Sequence, residues 1–222
     1  MDTAIVQATA HYVEAKVGPE AFRFVSAVVA NCKMLALELE AQDIRDTQAQ
    51  ETQDIVTRSI DHETLLIAAY LHDISTPLYG FQDHQHKSAE MAVAFLHTLD
   101  IPEARIRKIE ETLLAHTTVA LTDEQRIALP IESRILYDAD KLGRLSGLSV
   151  VTSLIELGAR YPNRAVTGEM LTAILRHVEE RFVELYQSLN TAPARDMAKD
   201  KFGRTLAFLD GVIEHLSDAT PV

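Results

Sequence analysis

The sequence predicts an all-α fold. Apolar residues recur at spacings of three and four along most of the chain, which is the helical period. Runs that alternate between apolar and polar residues, typical of half-buried strands, are absent. Only eight glycines and seven prolines interrupt the 222 residues, so the chain has few breaks between helical segments. These observations favour a helical bundle in a single domain over residues 1–222.

Composition excludes several classes of protein. The chain carries 21 basic and 33 acidic side chains, for a formal charge of −12. Such a surface repels phosphate backbones and anionic lipids, so neither general nucleic-acid binding nor membrane binding is expected. The single cysteine forms no internal disulfide. No signal-peptide pattern is present, and the longest apolar stretch, near Leu65–Leu71, is far shorter than the ~20 residues of a membrane span. A cytoplasmic location is expected.

The N-terminal part of the chain predicts three helices. The first covers Met1–Lys16, and the second begins at Pro19, because proline suits a first helical turn. The second helix has apolar residues at helical spacing, namely Phe24, Val28, Cys32, Leu35 and Leu39. Residues 42–59 are polar and predict a long surface excursion that is partly helical. Asp61 then caps a third helix that is apolar nearly all round over residues 65–71, so it is expected to be buried.

Prolines and turn residues divide the rest of the chain. Pro77 and Gly80 predict a loop over residues 75–85. Further helices are predicted over Ser88–Leu99, Pro102–Ala115, Pro130–Leu142, Thr167–Leu189 and Pro193–Leu216. Thr122 and Gln125 predict a capping box for a short turn. The core is expected over residues 20–147, and the C-terminal helices over 165–217 pack either on it or on a second subunit, which would make a homodimer.

His72 and Asp73 end the most apolar helix of the chain. A helix C-terminus carries partial negative charge, so an aspartate there is unfavourable by about 0.3–1 kcal/mol. Burial of its charge without a partner costs more. A divalent cation would remove both costs, and it binds a deprotonated carboxylate and a neutral imidazole. The pair therefore forms a candidate metal site.

Further metal-type residues follow along the chain. His84 and His86 stand together in the segment after Gly80, and His116 ends the helix predicted over Pro102–Ala115. Asp138 and Asp140 are two residues apart on a helix, about 200° around its axis, so only one can point at a given site. Periodicity does not choose between these two aspartates.

The ordered set of these motifs resembles a known family. L-H-D-I at the end of an apolar helix, H-x-x-x-S-A-E, a histidine ending a later helix and D-A-D-K-L are similar to the HD-domain superfamily of metal-dependent phosphohydrolases. The match runs from about Glu20 to Gly147, and the segments around His177 and Thr191 are similar to bacterial HD hydrolases of this length. The resemblance implies an HD-domain helical bundle.

The resemblance also implies the residues of the site. The metal ligands it points to are His72, Asp73, His84, His116 and Asp140, with His86 the alternative to His84 and Asp138 the alternative to Asp140. Asp73 is expected to be catalytic, and Lys141 and Arg144 to bind substrate phosphates. The first histidine of the family pattern is missing. Counting back four residues from Val28 and twelve from Ala36 reaches Phe24, which is expected to face the site or fill the core.

The implied function is hydrolysis of a nucleotide or another small phosphate ester with a divalent metal ion. Histidine and aspartate ligands suit Mn, Fe, Co, Ni or Zn, and Mg is a further alternative. The ligand types therefore do not identify the metal. The missing first histidine motivates an alternative from another class. In that alternative the chain is a catalytically degenerate HD domain that binds a ligand or a partner protein.

Overall fold

The fold is all-α, as the sequence predicts. A computed structural model describes residues 3–50, 59–80, 82–116, 122–145, 147–162 and 167–218, and every regular element in these ranges is a helix. The helices are α1 (Thr3–Gln50), α2 (His62–Leu71), α3 (Thr76–Tyr79), α4 (His84–Leu96), α5 (Glu103–Ala115), α6 (Asp123–Ala128), α7 (Ile131–Arg144), α8 (Gly147–Arg160), α9 (Gly168–Gln187) and α10 (Ala192–Asp218). None of these described helices is both long and apolar enough to cross a membrane.

Helix ends follow the signals in the sequence. Gly18 breaks α1 with φ 80° and ψ 164°, a backbone conformation that favours glycine, and Pro19 starts the next turn. The Asp61 carboxylate accepts a hydrogen bond from the backbone N–H of Thr64 and so caps α2. Thr122 and Gln125 form the predicted capping box of α6.

The described helices form two compact units, residues 1–140 and 141–222, with the boundary inside α7. In the first unit α2 packs against α1, α4 and α5, and α4 packs against α3 and α5. Leu65, Ile67 and Leu71 of α2 are fully buried, which agrees with a central position for this apolar helix. In the second unit α10 packs against α8 and α9. The prediction of one domain over 1–222 stays a prediction.

Two parts of the element prediction are wrong. The segment predicted as a loop over 75–85 contains the short helix α3, and α4 begins at His84 rather than at Ser88. His84 and His86 therefore lie in the first turn of a helix. The sequence prediction also has no helix at α8, although Val150, Leu154 and Leu157 recur there at helical spacing.

Candidate metal site

Three helix ends of the first unit carry the candidate ligands. His72 follows the last residue of α2, and Asp73 follows His72. His116 follows the last residue of α5, and His84 is the first residue of α4. Because α2 packs against both α4 and α5, the fold brings these ends together from three separate segments.

The two helix-end histidines are oriented in the same way. Nδ1 of His72 lies 2.8 Å from the carbonyl oxygen of Ala69, and Nδ1 of His116 is hydrogen-bonded to the carbonyl oxygen of Leu113. A carbonyl oxygen only accepts, so Nδ1 of each ring carries the proton. In a neutral imidazole that leaves the lone pair on Nε2, the arrangement that metal-ligating histidines adopt. Both side chains are buried.

The Asp73 carboxylate lies between two histidines. Its Oδ2 is 3.6 Å from Nε2 of His72, and its Oδ1 is 3.4 Å from Nε2 of His84. The ring of His116 lies edge-on to both of the other rings, with centroids 5.5 Å from His72 and 5.7 Å from His84. Ligand atoms of Asp73, His84 and His116 all lie within 4.8 Å of one another, so a single ion could contact all three.

This donor set fits a divalent cation. Asp73 Oδ1 is a buried atom that accepts no hydrogen bond within the described part of the chain. A buried carboxylate oxygen without a hydrogen bond destabilises the folded state unless a cation or a solvent molecule contacts it. One carboxylate and two imidazoles match the ligand preferences of Mn, Fe, Co, Ni and Zn, and do not choose among them.

Two serines hold His84 in place. Ser75 Oγ donates to the backbone carbonyl oxygen of His84 at 3.1 Å, and it lies 2.9 Å from Ser88 Oγ. The backbone N–H of Ser75 donates to Ser88 Oγ at 3.3 Å. Ser75 and Ser88 are fully buried. This contact ties the first turn of α4 to the segment after Asp73, which explains why the serine of the S-A-E motif stands one turn after His84.

The Asp-Ala-Asp segment of α7 is buried against α1. Asn31 Nδ2 of α1 donates to the carbonyl oxygen of Ala139 at 3.1 Å. Burial raises the pKa of the Cys32 thiol, and the carboxylates of Asp140 and Asp138 raise that pKa further. Both aspartates are buried, so burial does not decide which is the ligand. Neither belongs to the group whose ligand atoms lie within 4.8 Å of one another.

The family follows from a comparison with known proteins. A model of the HD domain matches residues 26–145, which is more than half of the chain. The chain belongs to the HD-domain family. Among curated proteins, none matches the sequence.

Two solved structures are similar to this HD-domain chain. The Lin1889 protein from Listeria innocua is 18% identical, with a TM-score of 0.65 over 98% of both chains. Bacillus subtilis YpgQ in complex with ADP is 16% identical, with a TM-score of 0.60 over 97% of this chain and 95% of that one. At these identities the likeness shows the fold alone.

The structure separates His84 from its alternative. His84 faces Asp73, whereas His86 is 63% exposed and its Nδ1 is hydrogen-bonded to Asp83 at the surface. His84 is therefore the histidine of α4 that stands beside the other HD-domain candidates. His72 contacts Asp73 without joining the group within 4.8 Å, so its role as a ligand, like that of Asp140, stays a prediction.

The expectation that Phe24 fills the core is wrong. Its side chain is 73% exposed, and it precedes the residues that the HD-domain model matches. Phe24 is eight residues from buried Cys32, which places it about 80° around the helix from the centre of the buried face. Two other α1 residues have relations to the Asp-Ala-Asp segment that residue counting does not show: Asn31 donates to the carbonyl oxygen of Ala139, and the carboxylates of Asp140 and Asp138 act on the Cys32 thiol.

The predicted phosphate-binding residues lie in the last turn of α7. Lys141 is half-buried and Arg144 is exposed. Both belong to the second unit, and their role toward substrate stays a prediction.

Proposed function

We propose that this protein is a metal-dependent phosphohydrolase that acts on a nucleotide or another small phosphate ester. The observation that carries this proposal is the group of Asp73, His84 and His116, whose ligand atoms lie within 4.8 Å of one another. Membership of the HD-domain family supports the reaction class. The ADP in the YpgQ complex supports nucleotides as the first substrates to examine.

The metal would be held by His72, Asp73, His84, His116 and Asp140. Such an ion supplies charge for a phosphoryl oxygen and lowers the pKa of a bound water. Asp73 is the residue proposed as catalytic: its Oδ1, which is buried, faces His84 and has no hydrogen bond from the described residues, would contact the metal, and its carboxylate would orient a water bound there. Lys141 and Arg144 would donate hydrogen bonds to substrate phosphate oxygens.

One observation favours the alternative, an HD domain that binds a ligand or partner without turnover. Residues 3–50 contain a single histidine, His11, and it is exposed. On α1, Asn31 donates a hydrogen bond to Ala139, between Asp138 and Asp140, and the Cys32 thiol is close enough for both carboxylates to raise its pKa. Burial raises the pKa of the Cys32 thiol, which disfavours the thiolate form that a metal would bind.

A phosphatase screen distinguishes the two functions. The protein, purified without chelator, would be incubated with Mn²⁺, Fe²⁺, Co²⁺, Ni²⁺, Zn²⁺ or Mg²⁺ and with nucleotides and simple phosphate esters, and phosphate release would be measured. We expect hydrolysis of at least one ester, and Asp73→Asn should lower its rate by about a hundredfold or more. Asp100→Asn, an exposed aspartate, is the matched control and should keep the rate. Tight metal binding with no ester hydrolysed would favour the binding function.

A further inference from the structure

Helix α1 has a second apolar face. Six residues at spacings of 3, 4, 3, 4 and 3 form it, and we name this set the α1 seam: Ala27, Ala30, Met34, Leu37, Ala41 and Ile44. Leu37 is 61% exposed, Ile44 is 55% exposed and Met34 is 45% exposed. Ala27 and Ala30 are also exposed, and Ala41 is half-buried. A contiguous exposed apolar surface rimmed by polar residues is typical of an interaction site.

The α1 seam lies opposite the face that packs into the first unit. That buried face consists of Val25, Val28, Val29, Cys32, Leu35, Ala36 and Leu39. At about 100° per residue the centres of the two faces are roughly 170° apart. The seam is therefore separate from the core, and its spacing is that of the a and d positions of a coiled coil.

We propose that a second copy of this chain packs on the α1 seam, with the two α1 helices antiparallel. The spacing 3, 4, 3, 4, 3 is the same in both chain directions, so the seam is complementary to itself about its midpoint. A two-fold axis between Leu35 and Ala36 would place Met34 opposite Leu37 of the partner subunit. Self-complementarity of this kind is what an interface with two-fold symmetry requires.

Side-chain volume favours the antiparallel arrangement. In it Ala27 lies opposite Ile44 of the partner subunit, so at two of the six layers an alanine meets a large side chain, and alanine meets alanine only at the two layers that pair Ala30 with Ala41. A parallel pair would place alanine against alanine at three of six layers and would leave more gaps in the interface. The antiparallel arrangement also opposes the two helix dipoles.

Charge beside the seam is complementary as well. Lys33 is exposed and Glu40 is half-buried. Both lie along the same edge of the seam, Lys33 before its midpoint and Glu40 after it. Antiparallel pairing therefore brings each Lys33 near Glu40 of the partner subunit, twice by symmetry. Opposite charges in these positions favour one register over others. Glu40 also contacts His62 Nε2 of α2 at 2.7 Å, so Lys33 of the partner subunit would share this carboxylate with His62.

The seam is short, which sets the expected strength of association. Its 18 residues span about 27 Å of helix, less than the length needed for an interface of standard size. We therefore expect a dimer that dissociates on dilution, with a dissociation constant on the order of micromolar. This inference does not depend on the metal site or on the proposed reaction.

Sedimentation equilibrium of the full chain tests the association. The weight-average mass should rise with concentration from 24.7 kDa toward twice that value. Leu37→Glu should hold the mass at that of the monomer. Ile127→Glu is the matched control, because Ile127 is 71% exposed on α6 and outside the seam, and it should associate as the parent does. If the parent chain stays monomeric at all concentrations, the proposal is overturned. That result does not depend on whether the Leu37→Glu variant is stable.

Disulfide trapping tests the orientation. Ala27→Cys and Ile44→Cys proteins, mixed and oxidised, should form a disulfide between the two variants, because antiparallel pairing places these positions opposite each other. Neither variant alone should cross-link, since each position would lie about 25 Å along the axis from its own copy, far beyond disulfide reach. The native Cys32 is fully buried and does not compete. Cross-linking of Ala27→Cys with itself would overturn the antiparallel arrangement.

Discussion

The two buried histidines show how single residues are prepared for a metal. In His72 and in His116 the backbone carbonyl three residues earlier accepts from Nδ1, so the helix end itself fixes the tautomer. No second side chain is needed for this, because a helix C-terminus always leaves carbonyl groups without partners inside the helix. The same carbonyl groups carry the partial negative charge that favours a cation nearby.

Replacing His116 should weaken metal binding. His116→Gln keeps a polar side chain of similar size but removes the imidazole Nε2, so we expect the affinity for Mn²⁺ or Ni²⁺ to fall by about tenfold or more. Isothermal titration calorimetry would measure this metal affinity. His97→Gln is the matched control, because His97 also follows the last residue of a helix but is 54% exposed and contacts Glu103. Equal affinities of both variants would contradict a role for His116 as a ligand.

Helix-end chemistry is the sequence signal that points to candidate ligands. His72 and Asp73 were marked by the cost of a carboxylate at an apolar helix end, and the structure places them in contact. Counting back from Val28 and Ala36 leads to Phe24, but counting does not show which way a side chain points around the helix axis. Ser75 and Asn31 could not be identified, because their roles depend on partners 13 and 108 residues away.

At the scale of elements, α2 is anchored at both ends. Its C-terminal end leads into His72 and Asp73, and its N-terminal end is held by a small charged network. Lys108 Nζ of α5 lies 3.3 Å from both Asp61 Oδ2 and Glu132 Oε1, and Glu132 also accepts from the backbone N–H of Asp61 at 2.8 Å. This network connects α2, α5 and α7 at the opposite end of α2 from the candidate ligands.

The network affects the titration of its members. Burial alone would raise the pKa of Asp61, but the hydrogen bonds from Thr64 and from Lys108 outweigh it and hold that pKa below its usual value. Burial would lower the pKa of Lys108, but the carboxylates of Glu132 and Asp61 hold it above its usual value. Stability from Asp61 is therefore present above its unfolded pKa near 3.9 and is lost as the pH falls through the folded pKa.

Lys108→Met should destabilise the protein by about 1–2 kcal/mol at pH 7. This lies between the values for exposed and buried ion pairs, because Lys108 is 42% exposed while Glu132 is 4% exposed. Urea unfolding at several pH values would measure the difference from the parent, which should be constant between pH 7 and pH 5 and shrink below about pH 4. Arg107→Met, on the same helix and paired with Glu103 at the surface, should change stability by less than about 0.5 kcal/mol. A Lys108→Met effect that is equal at pH 7 and pH 3 would contradict the pairing.

Element boundaries were predictable where caps act locally. Asp61 with Thr64 and Thr122 with Gln125 are contacts within three residues, and both are present. The start of α4 was not predictable, because residues 82–87 are polar and have no apolar period. The helical conformation of residues 84–87 is held by the contacts of Ser75 with Ser88 and with the backbone of His84. Tertiary contacts of this kind override local propensity.

At the scale of the whole molecule, the all-α class and the family were predictable because both depend on patterns repeated along the chain. The candidate ligands were also recognisable as a set, since their order along the sequence matches the order of the helix ends that carry them. The order along the sequence does not show which of these residues contact one another. Asp73, His84 and His116 all belong to the unit formed by residues 1–140, and this unit has its own core.

Metal binding should therefore protect the first unit selectively. An ion that binds only the folded site stabilises it by about 2.7 kcal/mol at a concentration one hundred times its dissociation constant. That free energy should raise the protection of amides whose exchange requires the site to open. We expect slower hydrogen–deuterium exchange in α2, α4 and α5 after addition of Mn²⁺ or Ni²⁺, and little change in α9 and α10, because the candidate ligand group contains no residue of the second unit. His116→Gln should remove the protection at equal metal concentration. Equal slowing throughout both units, or slowing that persists in His116→Gln, would show that the ion acts elsewhere than at Asp73, His84 and His116.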